Sequence, residues 1–183
     1  MVTVYLARGE DGRALAPALL ERTAAELWGL PLPGIARLPG GKPWFPARPG
    51  LHFSLSHSGP LALCAAGDAP VGADVERVRP RSAGLPRYVC SAGELAWFEG
   101  RGERWEDFYT LWTLKEARCK CTGEGLRRGP RALRVPLLEP GEAGALDGFA
   151  FRAWGGPGWR AAACVERGAL CREIVQISCK APF

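Results

Sequence analysis

The sequence has neither the long apolar runs of a membrane protein nor the cysteine density of a disulfide-stapled secreted domain. Its longest wholly apolar run beyond the first residues is Leu61–Ala66, whereas a transmembrane helix needs about 20 apolar residues. The opening run Val2–Ala7 contains Thr3 and is stopped by Arg8, so it is too short for a signal-peptide core. We therefore expect a cytoplasmic protein with no membrane-spanning segment and no membrane partner.

The spacing of a metal site built from cysteine and histidine is also missing. The seven cysteines are odd in number, and no two of them are separated as Cys-x-x-Cys, the spacing that structural zinc sites often use. The sequence has only two histidines, His52 and His57. These features argue against a disulfide framework and against structural zinc, and they indicate a reducing compartment.

Repeats and low-complexity tracts are absent as well, and the composition is that of an ordinary folded protein. The chain is 47% hydrophobic and 23% charged, which excludes wholesale disorder. Its 24 glycines and 16 prolines indicate many turns between short elements, and its 183 residues suffice for one large or two small domains. The net charge of +5 suits an acidic partner such as nucleic acid, a phosphorylated small molecule or an acidic protein.

Hydrophobic spacing and turn residues predict an α+β chain of two lobes built on antiparallel sheets with packed helices. We assign residues 1–80 to an N-terminal lobe and residues 81–183 to a C-terminal lobe, connected by the basic stretch Arg77–Arg87. The predicted helices are Ala14–Trp28, Ala92–Glu99 and Trp105–Cys121. The predicted strands are Val2–Leu6, an antiparallel meander of Leu51–Ser56, Leu61–Ala66 and Val71–Val75, and then Gly148–Trp154, Trp159–Glu166 and Cys171–Cys179.

The third strand of this predicted meander carries two carboxylates on one face. Alternation directs Asp74 and Glu76 away from the apolar side of the strand, and a bound cation would relieve the repulsion between them. On the last predicted helix, Glu116 and Lys120 are four residues apart and share a face. Three carboxylates suit Mg²⁺, and the lysine suits a phosphate. A solvated strand face and a surface Glu–Lys pair remain the alternative interpretation.

Two further segments have the chemistry of an anion contact. Ser56 and His57 lie at a strand end next to a Ser-Gly turn, where a ring N–H and backbone N–H groups can donate together. Lys42 lies in a turn and is followed by a stiff proline. Both segments are also typical of ordinary turns, in which serine and histidine cap local backbone groups and the lysine is solvated.

Taken in order, the motifs resemble those of a known family. They are Gly41–Pro43, Phe53–Gly59, Val71–Glu76, Trp112–Lys120 and Gly123–Leu126. Their order and spacing resemble those of the 4′-phosphopantetheinyl transferases of the monomeric, surfactin-synthetase-activating type, over about residues 38–126. The resemblance implies two similar lobes related by a pseudo-twofold axis, an active site in the cleft between them, and a monomer.

The resemblance also implies an activity. The family transfers the 4′-phosphopantetheine arm of coenzyme A to a serine of an acyl or peptidyl carrier protein, depends on Mg²⁺ and releases 3′,5′-ADP. By this resemblance Asp74, Glu76 and Glu116 would hold Mg²⁺ on the pyrophosphate of coenzyme A. Glu116 is also our candidate for the base that takes the serine proton, directly or through a water.

The basic and hydroxyl residues receive roles by the same resemblance. Lys120 would lie on the pyrophosphate of coenzyme A, with Lys115 as a second cation nearby. Lys42, Ser56 and His57 would contact the 3′-phosphate and adenine end. The motifs do not specify which carrier protein is served or whether acyl derivatives of coenzyme A are accepted.

Two other functions fit parts of the sequence. A non-catalytic homologue would bind coenzyme A or a carrier without transfer, although all three acidic positions are occupied. A basic nucleic-acid-binding module would interleave aromatic residues with arginines on exposed strands, whereas most of the seven tryptophans lie in apolar patterns or turns. We therefore expect no nucleic-acid partner. The arginines of residues 77–87 fit either an acidic carrier protein or a solvated linker.

Overall fold

The computed structural model describes residues 1–125, 129–166 and 169–178. Its helices are α1 (Gly12–Trp28), α2 (Leu85–Val89), α3 (Ala92–Gly100) and α4 (Trp105–Thr122), with a 3-10 turn at Pro130–Ala132. Its strands are β1 (Thr3–Arg8), β2 (Ala36–Arg37), β3 (Pro43–Trp44), β4 (His52–Ser58), β5 (Leu61–Gly67), β6 (Val71–Arg77), β7 (Ala143–Leu146), β8 (Phe149–Gly156), β9 (Trp159–Glu166) and β10 (Val175–Ser178). Within these ranges, no helix combines the length and apolarity that crossing a membrane requires.

Helix α1 begins at a capping aspartate, and both long helices end at glycines; all three residues are visible in the sequence. The Asp11 side chain accepts a hydrogen bond of 2.9 Å from the backbone N–H of Arg13 at the start of α1. Gly29 at φ 63° ends α1 and Gly123 at φ 75° ends α4, a conformation that glycine adopts without a Cβ clash. The predicted long helices are therefore confirmed, with small shifts at their ends.

Two four-stranded sheets pack face to face between the helices. Sheet A has the order β10-β1-β5-β4 and sheet B has the order β6-β9-β8-β7. Among the described strands of these sheets, neighbours are antiparallel except β1 and β10, which are parallel. Val4 and Leu63 of sheet A meet Val75 and Ala163 of sheet B in the core between the sheets. Helix α1 covers the outer face of sheet A, and α3 and α4 cover that of sheet B. The predicted α+β architecture is confirmed.

The predicted meander is wrong in its third strand. Strands β4 and β5 form the expected hairpin, but β6 pairs with β9 in the other sheet. Serines of β4 cover the free edge of β6 instead: Ser54 Oγ accepts a 3.0 Å hydrogen bond from the Ala73 N–H, and Ser58 Oγ accepts a 3.2 Å bond from the Arg77 N–H. These hydroxyls satisfy edge N–H groups that a neighbouring strand would otherwise pair.

Strand pairing also crosses the lobe boundary that we assign at residue 80. Strand β6 precedes that boundary but is hydrogen-bonded in sheet B, and β10 follows it but is hydrogen-bonded in sheet A. The division into residues 1–80 and 81–183 stays a prediction. The predicted strand Cys171–Cys179 is shorter in the structure, where it corresponds to β10, and Cys179 lies outside the described residues.

The close approach of α4 to β6 depends on Gly72. A Cβ atom at this position would collide with the carbonyl oxygen of Ala117 and the backbone nitrogen of Cys121. A residue without a side chain lets the helix lie directly on the strand. This packing brings the last turns of α4 against the face of β6 that carries its carboxylates.

Candidate functional site

Asp74 is the most buried carboxylate of the predicted set, with 4% of its surface exposed. Its Oδ1 accepts hydrogen bonds of 2.7 Å from Ser56 Oγ and of 2.7 Å from Lys120 Nζ. Its buried Oδ2 accepts no hydrogen bond of ordinary geometry from the described residues. Burial raises the pKa of Asp74, whereas the charge and hydrogen bond of Lys120 and the Ser56 hydroxyl lower it. One oxygen of this carboxylate is therefore held in place, and the other is buried without a hydrogen bond of ordinary geometry.

Glu76 and Glu116 are half-buried neighbours of this carboxylate. Ser58 Oγ donates a 2.6 Å hydrogen bond to Glu76 Oε2. Burial is the main cause that raises the pKa of Glu76, with the hydrogen bond from Ser58 lowering it and the charge of Asp74 raising it again. Burial also raises the pKa of Glu116, and the charges of Asp74 and Glu76 raise it further. A strand and a helix therefore bring three acidic groups into one electrostatic site.

The donor set of these three carboxylates suits a divalent cation with oxygen ligands. A cation among them would offset the burial that raises their pKa values and, at Glu76 and Glu116, the charges of neighbouring carboxylates that raise them further. Oδ2 of Asp74 accepts no hydrogen bond of ordinary geometry from the described residues. In the described ranges, no three His, Cys, Asp or Glu side chains are already arranged around a metal position. In this geometry the ammonium of Lys120 supplies the positive charge next to Asp74. The residues present fit such an ion.

A pocket of about 430 Å³ opens beside Glu116 and Lys120. Lys42 and Arg37 also line it, so that three cationic side chains surround one cavity. Lys42 Nζ donates a hydrogen bond to the carbonyl oxygen of Cys121, and burial lowers the pKa of Lys42. Cations around a cavity of this size suit a phosphorylated ligand.

Ser56 and His57 lie on opposite faces of β4 because side chains alternate along a strand. Ser56 is 6% exposed, and its hydroxyl is bonded to Asp74. His57 is exposed. Strand β4 contributes Phe53, Ser54 and Leu55, rather than Ser56 or His57, to the described wall of the pocket. The structure thus brings Ser56 to the carboxylates and leaves His57 at the surface.

A family model matches the part of the chain that carries the carboxylates. Residues 70–164, which include Asp74, Glu76, Glu116 and Lys120, match the model of the 4'-phosphopantetheinyl transferase superfamily. The chain belongs to this superfamily. The resemblance that the sequence motifs indicate is therefore confirmed.

Curated relatives in this superfamily are similar over parts of their length. A 4'-phosphopantetheinyl transferase of Bacillus subtilis is 34% identical over 134 residues, which are 70% of this chain and 60% of the relative. The 4'-phosphopantetheinyl transferase Sfp of Bacillus subtilis strain 168 is 34% identical over 104 residues, 56% of this chain and 46% of the relative. The 4'-phosphopantetheinyl transferase AcpT of Salmonella typhi is 43% identical over 98 residues, 51% of each chain. The matched part of this chain spans less than two thirds of each of these relatives.

Like His57, the candidate Lys115 is not brought to the site in the structure of this phosphopantetheinyl transferase superfamily member. Its side chain is fully buried, and Nζ lies 2.9 Å from Glu94 Oε1 and 2.8 Å from Glu94 Oε2. The ammonium also donates to the carbonyl oxygens of Pro130 at 3.0 Å and Leu133 at 2.5 Å. Lys115 therefore connects α3, α4 and the segment after α4. Its charge is paired with Glu94 and not with Asp74, Glu76 or Glu116.

The structure adds two residues that the sequence reasoning for this superfamily member missed. Ser58 donates a hydrogen bond to Glu76. The sequence feature that could have predicted this contact is the alternation of serines along β4, which indicates one polar face toward a common neighbour. Glu94 pairs with Lys115 and also forms a capping box with Ser91 at the start of α3. The Ser-x-x-Glu spacing of that box is visible in the sequence.

Proposed function

We propose that this chain transfers the 4′-phosphopantetheine arm of coenzyme A to a serine hydroxyl of an apo-carrier protein and releases 3′,5′-ADP. The observation that carries the proposal is the meeting of Ser56, Asp74 and Lys120 through hydrogen bonds of 2.7 Å, beside Glu76 and Glu116. Membership of the superfamily supports the same assignment.

Asp74, Glu76 and Glu116 would hold Mg²⁺ in this proposal. When bound, the ion neutralises the non-bridging oxygens of the phosphate under attack and of the leaving group. Ser56 fixes the orientation of the Asp74 carboxylate through Oδ1, which leaves Oδ2 for the ion. The Lys120 ammonium adds a positive charge, and its contact can shift from Asp74 to the pyrophosphate when coenzyme A and the ion are bound.

Glu116 is the proposed base for the attacking serine. The serine Oγ forms a bond to the phosphorus that carries the pantetheine arm, and the bond from that phosphorus to the bridging oxygen breaks. The serine proton passes to Glu116, directly or through a water, and the electron pair of the broken bond leaves with 3′,5′-ADP. Without a bound ion, burial and neighbouring charge raise the pKa of Glu116.

The nucleotide end of coenzyme A would lie in the pocket of about 430 Å³. Lys42 and Arg37 line that pocket and would contact the phosphates. His57 is exposed on the neighbouring face of β4 and is assigned to the 3′-phosphate by resemblance alone. Ser56, assigned to the same end by resemblance, would act here through Asp74.

An acidic acyl or peptidyl carrier protein is the proposed second substrate. A smaller pocket of about 210 Å³ extends from Glu76 and is lined by Arg79, Arg81, Leu85 and Trp112. Arginines beside apolar side chains offer both charge and an apolar contact to an acidic helical partner. We further propose pseudo-twofold lobes, because β1-β5-β4 in sheet A and β6-β9-β8 in sheet B have corresponding orders. The proposed monomer rests on the resemblance alone.

Weighing the carrier tests the proposal. The chain is mixed with coenzyme A, Mg²⁺ and apo-carriers of the fatty-acid, polyketide and peptide classes, and each carrier is analysed by intact mass spectrometry. We expect a gain equal to one phosphopantetheine group, lost when a chelator is added and in Asp74→Asn and Glu116→Gln. No gain on any carrier class would remove the transferase proposal and leave a non-catalytic homologue.

A further inference from the structure

The pocket of about 430 Å³ is lined mainly by two parts of the chain. The last turns of α4 contribute Glu116 and Lys120. The hairpin formed by β2 and β3, which belongs to neither sheet A nor sheet B, contributes Arg37 and Lys42. A ligand that fills the pocket therefore contacts both the helix that carries Lys120 and a hairpin that carries two cations of its own.

This hairpin is packed against the end of α4. Its turn is closed by hydrogen bonds of 3.0 Å from the Leu38 N–H to the Lys42 carbonyl and of 2.7 Å from the Gly41 N–H to the Leu38 carbonyl. A Cβ atom at Gly40 would lie 2.6 Å from the carbonyl oxygen of Gly123, the residue that ends α4. Direct backbone packing therefore sets the position of the hairpin relative to the helix.

Lys42 strengthens the same junction. Its ammonium donates a hydrogen bond to the carbonyl oxygen of Cys121, in the last turn of α4, where carbonyl groups have no partner from a following turn. A cation at this end of a helix also interacts favourably with the helix dipole. The Lys42 ammonium therefore has a protein partner and helps to hold the hairpin on α4.

The other two residues that the resemblance assigns to the 3′-phosphate have no donor to offer in this pocket. The Ser56 hydroxyl donates its proton to Asp74. His57 is absent from the described residues that line the pocket. Recognition of the 3′-phosphate in this pocket therefore requires a cation beyond those that the motifs indicate.

Arg37 has the properties that such a cation needs. Its Nη1 donates a 2.9 Å hydrogen bond to the Gly41 carbonyl within the same hairpin, which restrains the guanidinium. Among the residues that the structure describes, no carboxylate pairs with Arg37. A guanidinium has five N–H donors, so four remain, and its planar fork matches two oxygens of a phosphate.

The chemistry of coenzyme A connects this cation to the proposed function, on which the inference rests. The nucleotide carries a diphosphate on the 5′ side and a separate phosphate on the 3′ hydroxyl. Lys120 and the ion are already assigned to the diphosphate, and the ribose separates the second anion from them. We propose that Arg37 binds the 3′-phosphate and makes the pocket prefer a 3′-phosphorylated nucleotide, while Lys42 is a positioning residue that holds the hairpin.

A pair of nucleotides isolates this contact without any carrier protein. 3′,5′-ADP and 5′-AMP differ only in the 3′-phosphate, and calorimetric titration of the full chain in Mg²⁺ measures the affinity for each. The wild type should prefer 3′,5′-ADP at least about tenfold, as expected for hydrogen bonds between charged groups. Arg37→Met should lose most of this preference, and Arg37→Lys, which keeps the charge without the fork, should retain part of it. An unchanged preference in Arg37→Met would overturn the proposal.

Three further variants separate Arg37 from its neighbours and from net charge. Arg48→Met is the matched control, because Arg48 is an exposed arginine that lines a different pocket, and it should keep the preference. Lys42→Met should weaken both nucleotides to a similar degree, because the hairpin is no longer held on α4. Loss of the preference in Lys42→Met or His57→Ala, but not in Arg37→Met, would return the 3′-phosphate to the residues that the resemblance indicates.

Transfer assays separate this inference from the proposed function. Transfer is measured from coenzyme A and from dephospho-coenzyme A, which lacks the 3′-phosphate, and Arg37→Met should raise the KM for coenzyme A several-fold more than the KM for dephospho-coenzyme A. An equal ratio of the two KM values in Arg37→Met and the wild type would refute the role of Arg37 and leave transfer established. A chain that prefers 3′,5′-ADP through Arg37 but never transfers would refute the proposed function and leave the phosphate contact established.

Discussion

Ser56 on β4 donates its hydroxyl proton to Oδ1 of Asp74 on β6 across 2.7 Å. The bond joins the edge of sheet A to the edge of sheet B, so the orientation of the central carboxylate depends on how the two sheets meet. Both residues are nearly inaccessible to water, with exposures of 6% and 4%. A buried hydrogen bond to a charged group is strong, and losing it leaves the acceptor poorly solvated.

Ser56→Ala should lower the free energy of unfolding by about 1.5–3 kcal/mol, because it removes a buried hydrogen bond to a carboxylate. Urea unfolding monitored by circular dichroism measures the change. Ser82→Ala serves as the control, since Ser82 is exposed, and should change stability by less than about 0.5 kcal/mol. Equal stability of Ser56→Ala and the control would show that the Ser56 hydroxyl does not support Asp74.

Gly72→Ala should destabilise the chain by about 1–3 kcal/mol, the usual cost of forcing extra volume into a packed contact. The new methyl group would collide with backbone atoms of Ala117 and Cys121, so α4 must move away from β6 and transfer should fall with stability. Thermal unfolding and the carrier mass assay measure both effects.

The matched control for that substitution is Gly93→Ala in α3. A Cβ at Gly93 has open space around it, and alanine is the better helix former by about 1 kcal/mol. The control should therefore keep or raise the melting temperature. A Gly72→Ala protein as stable and as active as Gly93→Ala would refute the close contact of α4 with β6.

Lys115→Met should destabilise the fold by about 3–5 kcal/mol, because it leaves Glu94 as an unpaired charge in the interior. The double variant with Glu94→Gln removes that charge and should recover much of the loss, since glutamine can still accept the capping bond from Ser91. Urea unfolding of the single and double variants measures the recovery. If Lys115 instead contacted the substrate, Lys115→Met would keep its stability and lose only transfer.

The raised pKa values of the carboxylates predict a pH dependence of stability. Asp74, Glu76 and Glu116 titrate above their ordinary values of 3.8, 4.5 and 4.5 when the chain is folded, so the folded state binds protons that the unfolded chain has released. The stabilisation that these groups contribute to the folded state is fully present at pH values below their ordinary pKa values. It is lost as the pH rises through their raised pKa values. In metal-free buffer their part of the unfolding free energy therefore decreases with rising pH.

Asp74→Asn isolates this effect, because asparagine does not titrate. Urea unfolding at a series of pH values, with a chelator present, should show a shallower decrease in the variant than in the wild type above about pH 4. Parallel curves for the two proteins would contradict the raised pKa of Asp74.

The sequence predicted α1, α3, α4 and the site strand well, because local signals determine them, whereas it did not predict the short helix α2. Glycines end α1 and α4 at positions that helical periodicity also indicates, and the alternation in β6 correctly separated Asp74 from the apolar side. The partner of β6 was not predictable in this way. Its pairing with β9 joins residues far apart in the chain, and its other edge is satisfied by serine hydroxyls rather than by a strand.

Helix geometry explains why Lys115 lies away from the predicted site. Lys115 and Lys120 are five residues apart, which is about 140° around a helix, whereas Glu116 and Lys120 are about 40° apart. Helical phase alone therefore separates Lys115 from the carboxylate face. Predicting that Lys115 pairs with Glu94 would require knowing how α3 packs on α4, and the local sequence pattern does not contain that information.

Binding of Mn²⁺, which accepts the same oxygen ligands as Mg²⁺, tests the central claim most directly. Electron paramagnetic resonance with coenzyme A present should show Mn²⁺ bound to the wild type and to Asp147→Asn, a carboxylate exposed away from the cluster. Asp74→Asn should bind it at least about tenfold more weakly, since it loses a charged ligand. Equal affinity of Asp74→Asn and the wild type would contradict a metal site built on Asp74, Glu76 and Glu116.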